Sequence, residues 1–492
     1  MGNTKKKTTR KDLGLKIFLA LTAVLLAVVL LGSLIGSTGI LLRMSSPLSS
    51  ANYSFDGAML SYIYRTSYMN MLNQLGEYAS YIGLDSTKSL KSQMSMDGEQ
   101  TWHEYFLSAA VEQAKEILVL AEAAKAAGME LTDEDKATVD ANFTALEEAA
   151  VQYNYPSVSS FIAAQYGSGI KVNDIRKAIE LSLLASKYSQ QITEGIEVTD
   201  AEIDAHFAEH EADHTFVALR QFTFSSTGAL LAEDATDEQI NQAKADLKAK
   251  ADALAACKTV EEFDAYLTQY WKDMTAETGE ITEENIASNL EQTKYPNYSA
   301  RDTGQGKWAF AEERKVGDTT IIADDEAISY TVVMLEKTKS RDEDLSRNVR
   351  HILFQSANHT DAAGAKAAAE EVLAKWEASA KDENAFAALA TEYTEDTGSK
   401  ENGGLYENVL PGEMVSAFDT WLFDADRKVG DVEIVESTEY GAHIMFYVGE
   451  GEPEWKISVR SDITNERYAA AYEELAANTT IKENAGALKM VG

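Results

Sequence analysis

The stretch WAFAEERKVGD, residues 308–318, returns as WLFDADRKVGD, residues 421–431. Each occurrence sets a Trp, a Phe two residues on, and then Arg-Lys-Val-Gly-Asp. Gly in this setting permits the backbone to reverse into a strand, and Val316 and Val429 are expected to anchor the turn. The repeat therefore marks a shared frame and fixes an alignment of two units. Run without gaps to Leu335 and Val448, that alignment keeps Trp, Phe, Arg, Lys, Val, Gly and Asp in place. Further upstream Phe263 matches Phe386, Tyr270 matches Tyr393, Asp273 matches Asp396 and Arg220 matches Arg350.

Both units change period in the same order. FVALRQFTF (216–224) reads as a strand, roughly 235–268 as helical, and TTIIA and ISYTVVMLEK as closing strands. In the second unit NVRHILFQ (348–355) is a strand, AAGAKAAAEEVLAKWEASA and AFAALATEY are helices, and VEIVE and HIMFYVG close it. The first unit is longer, chiefly around EITEENIASNLEQTKYPNYS.

Chemistry is sought where the units differ. The second holds His351 in RHILF and His443 in YGAHIMFY, where the first has Gln221 and Tyr330 at those positions. A lone strand histidine is usually a satisfied core residue. A pair on two strands of one small domain, with Asp396 on the loop between, is less easily dismissed.

From VRHILF through FAALATEYTEDTGSKENGGLYENVLPGEMVSAFDTWLF to VGDVEIVESTEYGAHIMFY, the second unit resembles parvulin-type peptidyl-prolyl cis-trans isomerases. The elements RHIL, GG-L, GEMV--F and YG-HI carry that resemblance. It implies an α+β domain, an antiparallel sheet with helices, that isomerises X–Pro bonds without cofactor or metal. By position it implies that His351 and His443 are the paired core histidines and that Asp396 faces the substrate carbonyl. Leu405, Met414 and Phe418 fall at the slot for the proline ring. Tyr440 stands where many parvulins have Ser or Thr, and Tyr406 departs from the more usual residues after the glycines. The loop QSANHTDAAGAK lacks the basic cluster of phosphate-directed members. The chemistry suits this inventory, because rotation about the amide requires an apolar slot and a polar field and no nucleophile. Ser399-Lys400 does not make a protease dyad, whose members are not adjacent. The first unit, without the histidines, is expected to be inactive although it keeps Asp273.

The N-terminus is basic, with six Lys/Arg and one acid in residues 1–16, and from Ile17 to Leu42 no charge appears. About 20 apolar residues span a bilayer, so 17–42 is expected to be a transmembrane anchor with the N-terminus cytoplasmic and the rest exported. No A-x-A site follows to suggest cleavage. The net charge of −36 disfavours nucleic acid as a partner. Cys257 stands alone, which rules out an internal disulfide framework and any Cys-cluster metal site. Export without disulfides or a processing site points to a bacterial membrane.

Residues 45–212 read as helical, with helix starts at Thr132 and Thr199. His206, His210 and His214 in HFAEHEADH would share a face only if the helix ran on. It is expected to break near Asp213, leaving a solvated helix end and no metal site. The fold expected is thus multidomain, α and α+β. It comprises a tail (1–16), a transmembrane helix (17–42), a helical chaperone-like region (45–212), a degenerate parvulin-like domain (213–340), a parvulin domain (346–450) and a C-terminal helix and tail (451–492). That arrangement is similar to exported foldases and chaperones of the SurA/PrsA/PpiD kind. It implies unfolded or newly exported polypeptides with X–Pro bonds as partners. The competing function is a holdase that binds such chains without isomerising them.

Overall fold

The computed structural model describes residues 39–226, 236–278 and 282–492. The basic tail and nearly all of the expected membrane segment, up to residue 38, lie outside them. No described helix is long and apolar enough to cross a membrane. The chain divides into two compact units, one of residues up to Glu197 with Thr464–Gly492, the other Val198–Ile463.

The first unit is built on the helices Gly57–Leu75, Trp102–Ala126, Asp133–Gln152, Val158–Tyr166 and Val172–Glu194. Several start where the side chains demand it. Thr101 accepts from the Glu104 backbone while Glu104 reaches back, and Thr132 and Asp135 repeat that reciprocal cap. Apolar residues at three- and four-residue spacing then close a core around Phe55, Leu60, Tyr64, Phe106 and Leu118. A small sheet pairs β1 (Leu48–Ser49) with β2 (Ser54–Phe55) and with the C-terminal strand Lys482–Glu483. Tyr472, Leu475, Ile481, Leu488 and Val491 join the same core, so the chain's end belongs with its N-terminal helices.

The second unit holds two four-stranded antiparallel sheets. One runs β4–β3–β6–β5, with β3 Phe216–Ser225, β4 Lys294–Tyr298, β5 Thr319–Asp324 and β6 Ser329–Ser340. The other runs β8–β7–β10–β9, with β7 Leu345–Gln355, β8 Leu405–Val409, β9 Val432–Ser437 and β10 Gly441–Pro453. In the second sheet Ile352, Phe354, Ala442, Ile444 and Phe446 face helices Ala362–Glu377 and Glu383–Tyr393. Strand alternation turns the intervening residues to the opposite face. There Val349, Met445 and Tyr447 pack on Phe418, Trp421 and Leu422 of the short helix Ser416–Leu422.

The repeated stretch does the same work in both sheets. Arg314 Nε donates to the Trp308 carbonyl at 3.3 Å, and Arg427 Nε to that of Trp421 at 3.1 Å. Each guanidinium also lies over its indole. The Gly317 N–H meets the Leu335 carbonyl at 2.8 Å, and the Gly430 N–H that of Tyr447 at 2.9 Å. The valines do not anchor the turn: Val316 is 63% and Val429 70% exposed. A turn held by backbone bonds at Gly and Asp leaves its middle side chain in solvent.

That pairing also corrects the alignment in the last strand. Leu335 and Tyr447 are the structural equivalents, because each donates its N–H to the Asp of its own RKVGD turn. The hairpin Asp325–Ile328 is one residue longer than Thr438–Tyr440. The counterpart of His443 is therefore Thr331 and not Tyr330, which packs on the helix side with Phe224 and Tyr270. Gln221 does correspond to His351. Asp273 keeps its place in the sequence but not in space, since helix Val260–Thr278 continues through it and leaves it exposed.

Candidate active site

His351 and Leu353 on β7 and His443 on β10 point to the face away from the long helices, and Leu353 and His443 are a cross-strand pair. After helix Glu383–Tyr393 ends, the loop is tied to the free edge of β7. The Leu353 N–H donates to Thr394 Oγ1 at 3.0 Å, and the Glu395 N–H to the Leu353 carbonyl at 2.9 Å. This sets Asp396 beside His351. The chain then returns through Gly403-Gly404, where the Gly404 carbonyl accepts from the His351 N–H at 2.8 Å. Gly404 has φ 76°, and a Cβ there would stand 2.2 Å from the His351 carbonyl oxygen. Only glycine lets β8 start so close to β7.

His351 Nε2 lies 2.9 Å from Asp396 Oδ2, and His351 Nδ1 lies 3.2 Å from His443 Nδ1. Asp396 Oδ2 also accepts from Tyr406 OH at 2.9 Å and from Ser399 Oγ, while Oδ1 accepts from the Gly398 N–H at 3.1 Å. The bond from His351 and those from Ser399 and Tyr406 hold the Asp396 carboxyl well below the usual carboxylate range, against the opposing effect of burial. It is an anion. Burial, with the neighbouring Asp396 charge, pushes the Tyr406 hydroxyl up to about 12. Burial, reinforced by His351, pushes His443 down to about 4, so His443 is neutral near pH 7.

An ionised Asp396 requires Nε2–H on His351. Across the Nδ1–Nδ1 contact of His351 and His443 only one of the two nitrogens carries a proton. His443 Nε2 is buried without a hydrogen-bond partner among the described residues. The contacts thus run from His443 through His351 to Asp396, whose Oδ2 also accepts from Ser399 and Tyr406.

The carboxylate forms the polar end of a cleft of about 260 Å³, lined on its apolar sides by Leu353, Met414, Val415 and Phe418. The Phe418 ring meets His351 and His443 nearly edge-on, at 5.6 and 5.7 Å between ring centres. Tyr440, in the β9–β10 hairpin, is half exposed at the rim. Of the expected residues, His351, His443, Asp396, Tyr440, Met414 and Phe418 come together. Leu405 does not line the cleft. Neighbouring side chains on β8 alternate, and it is Tyr406 that turns toward Asp396. Tyr406, Ser399, Leu353 and Val415 were not among the expected contributors. The signals for them were period-two alternation from His351 to Leu353, and Ser399 lying three residues after Asp396.

In the first copy five lining positions differ, while Tyr295 keeps a tyrosine where the second has Tyr406. Gln221, Thr223, Thr331, Arg301 and Gln305 stand for His351, Leu353, His443, Met414 and Phe418. Thr223 and Thr331 bond to each other at 2.8 Å, and Arg301 is drawn away to Thr215 at 2.6 Å.

Residues 330–448 match the family model described as a PPIC-type PPIASE domain, so the second copy is a parvulin-type domain. "Foldase protein PrsA 3" of Bacillus anthracis is 41% identical over 86 residues, 17% of this chain and 30% of that protein. "Foldase protein PrsA 1" of Listeria innocua is 33% identical over 147 residues, 28% of this chain and 45% of that protein. "Chaperone SurA" of Hahella chejuensis is 35% identical over 117 residues, 24% of this chain and 26% of that protein. These matches thus span less than half of each curated relative. A crystal structure of the peptidylprolyl isomerase PrsA from Bacillus anthracis overlays on 60% of this chain and 94% of its own, at 18% identity and a TM-score of 0.19.

Proposed function

We propose that this chain, which carries a PPIC-type peptidyl-prolyl isomerase domain, isomerises X–Pro bonds through its second copy and that the first copy is inactive. The observation that supports this is an ionised Asp396, fixed by His351, Ser399 and Tyr406, at the end of an apolar cleft.

A planar amide owes its barrier of about 18–20 kcal/mol to resonance that places negative charge on the carbonyl oxygen. Twisting the C–N bond returns that charge to nitrogen. A fixed anion beside the oxygen therefore raises the planar state more than the twisted one, which lowers the barrier between them. Leu353, Met414, Val415 and Phe418 grip the proline ring and keep water from the carbonyl, where hydrogen bonding would strengthen resonance. The histidine pair holds the anion in place. No bond is made or broken and no proton is transferred.

The substrates fitting such a site are unfolded polypeptides, and the matched relatives are named as foldases and a chaperone. The apolar run 17–42 behind a basic tail supports a single-pass anchor with the described residues extracytoplasmic. A holding activity in the helical unit is the second reading. It is favoured by exposed Tyr78, Tyr81, Met94 and Met96, which stand within one short segment.

The test is a proline-peptide isomerisation assay with the full-length protein in detergent. Exchange faster than the spontaneous rate, and reduced in Met414→Ala, is the expected result. A wild-type rate equal to the spontaneous one sinks the enzyme and leaves the holdase.

A further inference from the structure

Outside the cleft, His206, His214 and Asp462 bring one potential ligand atom each to within 4.8 Å of one another. Helix Asp200–Glu209 does end, with His210 capping it, as the sequence suggested. What the sequence could not show is that the following turn brings His214 back beside His206, with ring centres 6.2 Å apart. Nor could it show that helix Glu454–Asn478 delivers Asp462 to the same point. We infer that these three side chains form a binding site for a divalent late transition metal such as Zn2+.

His214 is 9% exposed, and its Nε2 is buried without a hydrogen-bond partner among the described residues. Yet Asp462 Oδ2 lies 3.2 Å from that nitrogen. The carboxylate is near enough for a bond but off the direction that an N–H would need. Bonds of about 2 Å in a tetrahedral site set two donor atoms about 3.3 Å apart, which is close to the spacing of this one pair. On its other side His214 Nδ1 meets Ser458 Oγ at 3.2 Å. With Nδ1–H donating to that hydroxyl, Nε2 turns a lone pair toward a carboxylate, an arrangement that repels until a cation stands between them. A hydroxyl on the far nitrogen of a ligating histidine is also the support such ligands ordinarily have.

Two imidazoles and one carboxylate select Zn2+ and its neighbours over Ca2+ and Mg2+, which take oxygen ligands. Asp462 is half exposed, so an ion can enter from solvent and keep water in the remaining position. The place also suggests a purpose. His206 and His214 stand before the first strand of the first copy, Asp462 follows the second, and Ile203, Phe207, Trp455 and Val459 pack around the junction. A bound ion would clasp the start of the two-copy unit to its end and stabilise it by mass action.

The experiment titrates Zn2+ into the chelator-treated full-length protein against a chromophoric competitor, and repeats it with Co2+ to read the visible band of nitrogen–oxygen coordination. One equivalent per chain is expected, with affinity at least tenfold weaker in His214→Ala and in Asp462→Asn and unchanged in His103→Ala. Asp462→Asn keeps the side chain's shape at a half-exposed position, and circular dichroism checks that it folds. Wild-type protein that takes up no Zn2+, or variants that bind as the wild type does, overturns the proposal. So does binding lost in His206→Ala and His210→Ala but retained in His214→Ala, which would mean a pair on one helix face.

Discussion

In the second copy Arg350 donates to Glu383 at 2.8 Å and to the carbonyls of Asn402 and Gly403, pinning the loop that leads to Tyr406. Its counterpart Arg220 is buried between Asp264 and Glu336, with two of its nitrogens lacking a well-formed hydrogen bond. The same residue in the same strand thus organises a cleft in one sheet and only an ion-pair cluster in the other. Around it the turn, the Trp–Arg stack and the strand pairing are shared, while five cleft-lining positions have changed and Tyr406 alone of those compared keeps its residue type, as Tyr295. Folding constrains the frame, and only the chemistry of one cleft constrains the lining. A copy relieved of that chemistry is free to fill the space with Thr, Gln and Arg.

The largest contrast should follow Phe418→Ala. Phe418 is buried against the sheet, so its removal should cost the second copy about 3–5 kcal/mol. Gln305→Ala at the matching place should cost under about 0.5 kcal/mol. Hydrogen exchange at β10 and β6 amides reads both, and equal losses would break the comparison.

Acid should come next. His443 is held at about 4 when folded and takes its proton near 6.5 when unfolded. Its folded pKa is depressed, so its contribution is complete above about pH 6.5 and is lost as pH falls toward 4. That amounts to roughly 3 kcal/mol. The carboxylate of Asp396, also depressed, adds a loss only from about pH 4 downward. The first copy has Gln221 and Thr331 in place of the histidines and should lack the upper step. Exchange protection of β7 and β10, corrected for intrinsic rates, should fall between pH 7 and 5 while that of β3 and β6 holds.

Tyr406→Phe removes one of three side-chain donors from an anion, an effect of about 1.5–3 kcal/mol, and should slow isomerisation about tenfold or more. Tyr295→Phe, at the matching place on β4, should leave the rate unchanged. The smallest contrast lies in the turns. Gly317 and Gly430 have φ 86° and 90°, which costs Ala about 1–2 kcal/mol at either place. Only at Gly317 would the new Cβ also meet a backbone oxygen, that of Lys258 at 2.3 Å. Gly317→Ala should be the more destabilising by about 1 kcal/mol, as thermal unfolding would show.

Much of this frame was legible because turns and strand pairing are written locally. Trp, Arg and Gly-Asp recur at fixed spacing, and the bond from Arg to the Trp carbonyl and the backbone bonds at Gly and Asp are the same in both copies. The misplacement of Tyr330 arose from a hairpin longer by one residue, around Ile328 at φ 46°. Since side chains alternate with period two, one residue moves Tyr330 to the opposite face. Asp273 misled for another reason. Whether a helix stops before an Asp or runs through it depends on what captures the chain, and Thr394 and Glu395 do so only in the second copy. Ser399 and Tyr406 converge on Asp396 from a loop and a strand, and no local pattern announces such a meeting.

The paired aspartates therefore give the most direct test of one working copy. Isomerisation of a proline peptide by the full-length protein should fall about a hundredfold in Asp396→Asn, which keeps the shape and removes the charge. In Asp273→Asn it should be unchanged. An undiminished rate in Asp396→Asn, or an equal loss in both variants, would contradict the account.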